Sequence, residues 1–153
     1  MSTQIGPLIF PDEDATIAFA HALAPHLRAG DVLLLEGDIG AGKTFFSRAL
    51  IRARLGRMED VPSPTFTLVQ TYDDGEVEIW HCDLYRLSSP DEAIELGLDE
   101  AFETAICLIE WPDRLAELAP ADALHLTFTA GDAHTLTITA PDAWTERLRA
   151  AGV

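Results

Sequence analysis

The sequence predicts a single α/β domain, with a central mixed and largely parallel sheet flanked by helices and β-hairpins. Two short runs, Val32 to Leu35 and Ile106 to Ile109, are wholly apolar, which is typical of strands buried on both faces. A glycine-rich stretch follows the first run and leads into a segment of helical period, the order that α/β proteins require. The chain has 153 residues, 48% of them hydrophobic, which is enough for one core.

The first half of the chain predicts two helices, one before and one after the first buried strand in the sequence. Apolar residues at helical spacing predict a helix over 12–28, with Asp12 or Asp14 as its N-cap. Pro25 either bends this helix or ends it early. The same period predicts a second helix over 44–55, which ends at the glycine that follows it.

The second half of the chain is rich in β-branched and aromatic residues that favour strands. Between 66 and 85 this composition is interrupted by Asp73-Asp74-Gly75, which predicts a hairpin turn. Ser89 to Glu92 matches a capping box with proline at the first helical position, and Gly97 closes that helix. The remaining predicted elements are the strand 106–109 ending at Glu110, a short helix over 111–118, a hairpin pairing 124–128 with 135–138 around Gly131-Asp132, and a terminal helix over 144–150.

The composition argues against several classes of protein. Lys and Arg number 10 against 26 Asp and Glu, so the net charge is -16 at pH 7, and such a chain repels nucleic-acid phosphates. The two cysteines, Cys82 and Cys107, are too few for a disulfide framework and are expected to be buried thiols. There is no leader-like segment and no apolar run of the roughly 18 residues that span a membrane. We therefore expect a cytoplasmic protein that does not bind nucleic acid unaided.

Residues 37–44 fit the P-loop pattern G-x-x-x-x-G-K-[ST], which predicts a P-loop NTPase-like domain. The glycines let successive backbone N–H groups converge on one point, and the following helix N-terminus adds partial positive charge, so the loop can hold phosphate. Lys43 is the only lysine in the chain, and it supplies a compact charge for terminal phosphates. The Thr44 hydroxyl is expected on Mg²⁺. The expected nucleotide-binding residues of the loop are Asp38, Ile39, Gly40, Ala41, Gly42, Lys43 and Thr44.

Two acids are candidates to complete a Mg²⁺ site. Carboxylates beside a phosphate loop project from the ends of neighbouring strands. Glu110 ends the second apolar run, and Asp83 ends the predicted strand from Val77 to Cys82. A solvated acid at a strand end is the alternative for each, and spacing alone leaves both interpretations open.

Three further motifs follow the P-loop: Ser-Pro-Thr-Phe-Thr-Leu-Val at 63–69, His-Cys-Asp-Leu-Tyr-Arg-Leu at 81–87 and Glu-Trp-Pro at 110–112. In this order and spacing, the chain resembles the TsaE family, the small bacterial ATPases of tRNA threonylcarbamoyladenosine (t6A) biosynthesis. The resemblance runs from about Pro11 to Ile138. Cys82 stands where the family usually has phenylalanine, and Phe45 where a second threonine is frequent, and neither is an expected ligand.

The resemblance implies roles for individual residues of the P-loop and the strand ends. It implies Thr44 and Glu110 as ligands of Mg²⁺, directly or through water, and Asp83 as the acid that orients the metal-bound or attacking water. Trp111 would lie beside the nucleotide, although a tryptophan that buries its face at a strand end is an equal alternative.

The resemblance also implies roles for two segments outside the P-loop. Thr65, with Thr67, would lie in a switch-like loop that senses the γ-phosphate. Asp12 falls where the family's N-terminal segment approaches adenine, unless it only caps a helix.

His81 shares strand parity with Asp83 and has no partner at metal spacing, so a structural hydrogen bond is expected of it.

The P-loop and the family resemblance together imply a Mg²⁺-dependent ATP-binding and ATP-hydrolysing subunit of the t6A machinery, with Lys43, Asp83 and Glu110 as catalytic residues. The resemblance implies a TsaB–TsaD complex as its partner, with tRNA reached only through partners and no membrane role. A small-molecule kinase of the P-loop class is the alternative, but it needs an arginine-rich lid. A GTPase would need N-K-x-D, whereas this chain has no asparagine and its one lysine lies in the P-loop. The arginines instead cluster on and just after the P-loop helix, at Arg48, Arg52, Arg54 and Arg57.

Overall fold

The computed structural model describes residues 2–64 and 67–153, which are built around one sheet. The strands are β1 (Ser2–Phe10), β2 (Val32–Glu36), β3 (Val69–Asp73), β4 (Glu78–Asp83), β5 (Ile106–Glu110), β6 (Leu124–Thr129) and β7 (His134–Pro141). The helices are α1 (Glu13–Leu23), α2 (Lys43–Leu55), α3 (Pro90–Glu95), α4 (Leu98–Thr104) and α5 (Thr145–Ala150), with 3₁₀ turns at Ala24–His26, Pro112–Leu118 and Asp142–Trp144. Across the described ranges, none of these helices has the length and apolarity to cross a bilayer.

The seven strands lie in the order β1-β7-β6-β2-β5-β4-β3. The four central strands, β6, β2, β5 and β4, run parallel to one another, and antiparallel partners flank them on both sides. The predicted mixed sheet with helices and hairpins is therefore confirmed, and its parallel part occupies the centre. This arrangement brings the carboxyl ends of β2, β4 and β5 to one edge of the sheet.

Strand β2 is buried on both faces, as its apolar run predicts. Leu33 and Leu35 point into one core, which contains Phe46 of α2, while Val32 and Leu34 point into a second core, which contains Leu98 of α4. Strand β5 alternates between the two cores in the same way. Because both faces are covered, the position of the loop after β2 is fixed by packing on each side of the sheet.

The first helix is shorter than predicted. Helix α1 ends at Leu23 rather than at residue 28, and the chain continues in a 3₁₀ turn that contains Pro25. Proline has no N–H to continue the helical ladder, so it ends the helix instead of bending it. The N-cap is Asp12, whose side chain accepts a hydrogen bond of 2.9 Å from the Ala15 amide.

Two elements were not predicted from the sequence, strand β1 and helix α4. Strand β1 is mostly exposed, and its pairing with β7 shifts register between Ile5 and Leu8. Helix α4 begins directly after Gly97, the residue that was predicted only to close the preceding helix. The short helix predicted over 111–118 is present as a 3₁₀ turn at Pro112–Leu118. The two predicted hairpins, the capping-box helix, α2 and the terminal helix are present.

Candidate functional site

The loop between β2 and α2 can be built only with glycine at key positions. Gly37 has a φ of +143°, and a Cβ there would lie 2.5 Å from the Phe128 carbonyl oxygen. Gly42 has a φ of +114° and is the residue immediately before α2. Left-handed backbone at these points turns the chain sharply from the sheet into the helix. The 13-residue helix α2 therefore starts at the loop, with its first N–H groups at the carboxyl edge of the sheet.

Lys43, the first residue of α2, is buried at the base of this loop. Its ammonium group donates to the Gly37 carbonyl oxygen and lies 3.6 Å from the centroid of the Trp111 ring. Burial lowers the pKa of Lys43, and the nearby carboxylates, led by Glu110 and Asp83, oppose that shift only in part. The one lysine of the chain is thus kept at a position where its charge is poorly solvated.

Strands β4 and β5 bring Asp83 and Glu110 side by side. The strands are parallel neighbours, and the register pairs these two residues at their carboxyl ends. Both side chains are buried, with Glu110 only 2% exposed. The Thr44 hydroxyl donates to Glu110, at 2.9 Å from Oε1 and 3.2 Å from Oε2. The Asp83 carboxylate accepts from the Tyr85 amide at 3.1 Å.

These residues surround a cleft of about 710 Å³ at the carboxyl edge of the sheet. Of the predicted site residues, those that line it are Asp12, Ile39, Gly40, Ala41, Gly42, Lys43, Thr44, Asp83, Glu110 and Trp111. Asp38 does not line the cleft, and its carbonyl instead accepts from the Ala41 amide within the loop. The prediction for Thr65 lies outside the described residues. Thr67 accepts from the Gln70 side chain at 3.0 Å.

Asp12 and Trp111 each combine a structural contact with a place in the cleft. Asp12 caps α1 and also faces the cavity. Trp111 has a φ of +59°, an unfavourable conformation for a residue with a Cβ, and its ring packs against Tyr85 at 5.0 Å between centroids. Strained backbone of this kind is concentrated at functional sites because the surrounding structure must hold it in place.

The sequence did not identify one wall of the cleft. That wall is formed by Phe10, Phe128 and the β6–β7 turn through His134. Tyr85, which belongs to the H-x-D-L-Y-R-L motif, is also part of the lining. Phe10 ends the unpredicted strand β1, so no local pattern connected it to the loop.

Fold and site together define the class of this protein. A parallel-centred α/β sheet, with a glycine loop between its central strand β2 and helix α2 and acids at the ends of β4 and β5, is the arrangement of a P-loop NTPase-like domain.

Comparison with known proteins identifies the family. The sequence model described as "Threonylcarbamoyl adenosine biosynthesis protein TsaE" matches residues 10–138, so this chain belongs to the TsaE family. The tRNA threonylcarbamoyladenosine biosynthesis protein TsaE of Rickettsia bellii is 44% identical over 118 residues, which cover 77% of this chain and 82% of that protein. The protein of the same name from Bacillus subtilis is 43% identical over 124 residues, covering 80% and 75%.

A solved structure extends the likeness to the whole fold. The crystal structure of Bacillus subtilis YdiB superposes with a TM-score of 0.82 and 31% sequence identity, covering 99% of this chain and 96% of that one. The family resemblance and the fold predicted from the sequence are both confirmed.

Proposed function

We propose that this chain is the Mg²⁺-dependent, ATP-binding and ATP-hydrolysing subunit of t6A biosynthesis, and that it acts on a TsaB–TsaD partner complex. The relatives that match most of the chain carry t6A biosynthesis in their names. The observation that carries the proposal is the group formed by the buried Lys43 and Glu110 and the half-buried Thr44, beneath a glycine loop at the start of a helix. Such a loop and helix N-terminus favour a phosphate chain.

Lys43 is suited to bind the terminal phosphates. Its burial disfavours the ammonium charge, and a bound phosphate chain would restore favourable interactions for it. The ammonium donates to the Gly37 carbonyl, and its two remaining N–H groups are available to donate to phosphate oxygens. An arginine fork is too broad for the same position, and we expect Lys43→Arg to bind ATP poorly as well.

The residues present fit a Mg²⁺ ion shared with phosphates. Within residues 2–64 and 67–153 no group of three or more His, Cys, Asp or Glu side chains could hold a metal by itself. Thr44 and Glu110 offer only hard oxygen donors, already in contact with each other. Mg²⁺ typically takes one or two protein oxygens together with phosphates and water. When bound, the ion would neutralise phosphate charge during hydrolysis.

Asp83 is suited to a different task from that of Glu110. Its carboxylate faces the same cleft, and the paired strand ends hold it beside Glu110. A carboxylate in this place can accept a hydrogen bond from an attacking water and orient it. Glu110 would hold the metal, and Asp83 would hold the water.

The arginines of α2 argue against the alternative of a small-molecule kinase. Arg48 and Arg52 donate through Nε to the carbonyls of Val61 and Glu59, and Arg54 donates to those of Ala24 and Leu27. None of the three lines the cleft. These arginines brace the fold and do not form an acceptor site or a lid.

The acidic surface is consistent with a division of labour in which partners bind tRNA. With a net charge of -16, the chain lacks the phosphate-neutralising term that nucleic-acid binding requires. We expect slow hydrolysis by the chain alone, because partner-supplied charge stabilisation is worth about 10³ to 10⁵ in related NTPases.

The decisive experiment measures ATP hydrolysis by the chain alone, then with TsaB–TsaD, then with tRNA added. We expect acceleration by the partner complex and no gel shift of tRNA by the chain alone at two salt concentrations. Tight tRNA binding by the isolated chain would overturn the division of labour.

Variants of the two acids test their separate roles in the same assay. Glu110→Ala should lose the Mg²⁺ enhancement of ATP binding, while Asp83→Ala should bind MgATP and turn it over slowly. Glu117→Ala, an exposed acid outside the cleft, is the matched control. If Mg²⁺ has the same effect in Glu110→Ala as in the wild type, the assignment of Glu110 as a metal ligand is wrong.

A further inference from the structure

His81 lies beside Glu110 in the interior of the sheet and was expected only to form a structural hydrogen bond. Its side chain is fully buried on β4, and its Nε2 atom lies 2.6 Å from Oε2 of Glu110. The register pairs His81 with Leu108 on β5, two residues before Glu110, so both side chains project from the same face. His81 itself does not line the cleft.

The surroundings of the imidazole determine where its proton lies. Nδ1 is buried and has no hydrogen-bond partner within the described part of the chain, whereas Nε2 faces a carboxylate oxygen. A neutral ring protonated on Nε2 donates to Glu110 and leaves only a lone pair unpaired at Nδ1. The other tautomer would place two acceptors 2.6 Å apart and bury an unpaired N–H, which is costly. Nε2 is therefore the donor in the hydrogen bond to Glu110.

Because of this hydrogen bond, the two carboxylate oxygens of Glu110 have different partners. The His81 ring anchors Oε2, and the Thr44 hydroxyl approaches Oε1 more closely, at 2.9 Å against 3.2 Å. A carboxylate with one oxygen anchored presents the other in a fixed direction.

From this geometry we infer that His81 is a positioning residue: it holds Glu110 so that Oε1, together with the Thr44 hydroxyl, is ready to receive a divalent cation. The inference rests on the proposed function, because it concerns the metal that accompanies ATP. His81 acts through Glu110 and touches neither nucleotide nor metal. Partners of this kind typically change metal affinity by about 10- to 100-fold when they are removed.

Two substitutions of His81 separate positioning from packing. In His81→Gln the amide nitrogen extends about as far as Nε2 and can still donate to Glu110, whereas in His81→Asn it stops near the position of Nδ1. Both replace an aromatic ring by a smaller amide in the same buried place. Cys82→Ala is the matched control, since Cys82 is the next residue of β4, is equally buried, and faces the other core.

The experiment measures ATP affinity calorimetrically with and without Mg²⁺ on the full chain, alongside denaturant unfolding. In His81→Asn we expect the Mg²⁺ enhancement to fall about 10- to 100-fold while metal-free ATP affinity is unchanged. His81→Gln should keep most of the enhancement, and Cys82→Ala should lose stability only. An enhancement in His81→Asn equal to that of the wild type, or equal losses in the Gln and Asn variants, would overturn the inference.

Wild-type protein provides a test that needs no variant to fold. Nitrogen-detected NMR of the ligand-free chain should find the His81 proton on Nε2, and a ring protonated on Nδ1 alone would overturn the inference. If the wild type shows no Mg²⁺ effect on ATP binding, the proposed function fails and this inference fails with it. If the wild type shows a Mg²⁺ effect and His81→Asn keeps it in full, the inference about His81 is wrong while the proposed function stands.

Discussion

The two ends of the parallel strands carry buried charge in different ways. At the amino end, Asp31 lies just before β2. Its carboxylate accepts hydrogen bonds from both terminal nitrogens of Arg147, at 2.6 and 3.0 Å, and from the Arg28 amide, at 2.7 Å. Arg147 also stacks on Trp144, with 3.8 Å between the guanidinium carbon and the ring centroid. Each cation there faces one carboxylate. The charges of Asp31 and Arg147 are therefore paired with each other inside the fold.

Asp74, in the β3–β4 turn at the same end, follows that pattern. Burial by itself raises the pKa of Asp74, but amide hydrogen bonds from Val77 and Glu76 and the guanidinium of Arg54 outweigh burial and lower it. The Arg54 Nη2 lies 2.7 Å from the Asp74 carboxylate. The folded state therefore stabilises the ionised form of this acid.

At the carboxyl end the balance is different. One lysine faces two buried carboxylates, Asp83 and Glu110, and its pKa is lowered because burial outweighs their attraction. The folded state thus disfavours the ionised form of Lys43. Under the proposed function, the amino end contributes stability, whereas the carboxyl end keeps a poorly solvated charge that a bound phosphate chain would stabilise.

The largest effect on stability is expected at the amino end, in Arg147→Met. This change leaves Asp31 buried without its guanidinium and should cost about 3 kcal/mol of unfolding free energy. ATP affinity of the folded protein should not change. Denaturant unfolding measures the effect, and Arg149→Met is the matched control because Arg149 is exposed on the same helix. Equal unfolding free energies of the two variants would show that the pair of Arg147 and Asp31 does not stabilise the fold.

A smaller, pH-dependent loss is expected in Asp74→Asn. The amide keeps an acceptor for the turn but loses the charge that pairs with Arg54, costing about 1.5 kcal/mol at pH 7. The folded-state pKa of Asp74 lies below its ordinary value of 3.8. Its contribution to the unfolding free energy is therefore present in full above pH 3.8 and is lost as the pH falls through the lowered pKa. The gap between wild type and variant should therefore close in acid. Asp73→Asn, at an exposed acid of the same turn, is the matched control at pH 7, and a gap for Asp74→Asn that stays open in acid would contradict this role of Asp74.

The smallest effect is expected for an exposed ion pair. Arg57 and Glu59 lie 3.1 Å apart, but the Arg57 side chain is 59% exposed. Water and salt screen such a pair, so Arg57→Ala should change the unfolding free energy by no more than about 0.5 kcal/mol. A thermal melt at two salt concentrations checks this. A loss comparable to that of Arg147→Met would show that burial does not separate the two kinds of pair.

Local patterns predicted the centre of the fold and the side of the cleft formed by the P-loop and the two acids at the strand ends. The apolar runs, the glycine loop and the acids after the runs are each read from neighbouring residues, and the family motifs added roles to them. Strand β1 was missed because Gly6-Pro7 interrupts its pattern and its hydrogen-bond partner β7 lies far along the chain. The wall formed by Phe10 and His134 was missed for the same reason.

The contact between His81 and Glu110 shows where sequence reasoning stops. Strand parity placed His81 on the face of Asp83, and a hydrogen bond was correctly expected of it. Its partner lies 29 residues away on a parallel strand. Parallel register is set by packing on both faces of the sheet, and no residue between the two strands specifies it locally.

If the charges at the carboxyl end serve a ligand at the expense of stability, Lys43→Met should change ATP affinity and stability in opposite directions. The variant keeps the length of the side chain and removes its charge. ATP affinity should fall at least about 100-fold, or about 2.7 kcal/mol, while the ligand-free chain should unfold at equal or higher free energy at pH 7.

The pH dependence of that stability difference completes the test. The penalty for charging Lys43 is present in full below its lowered folded-state pKa, and it vanishes as pH rises toward the ordinary value of 10.5. The advantage of the methionine variant should therefore shrink between neutral and alkaline pH. ATP affinity equal to that of the wild type, or a stability loss as large as that of Arg147→Met, would contradict the account.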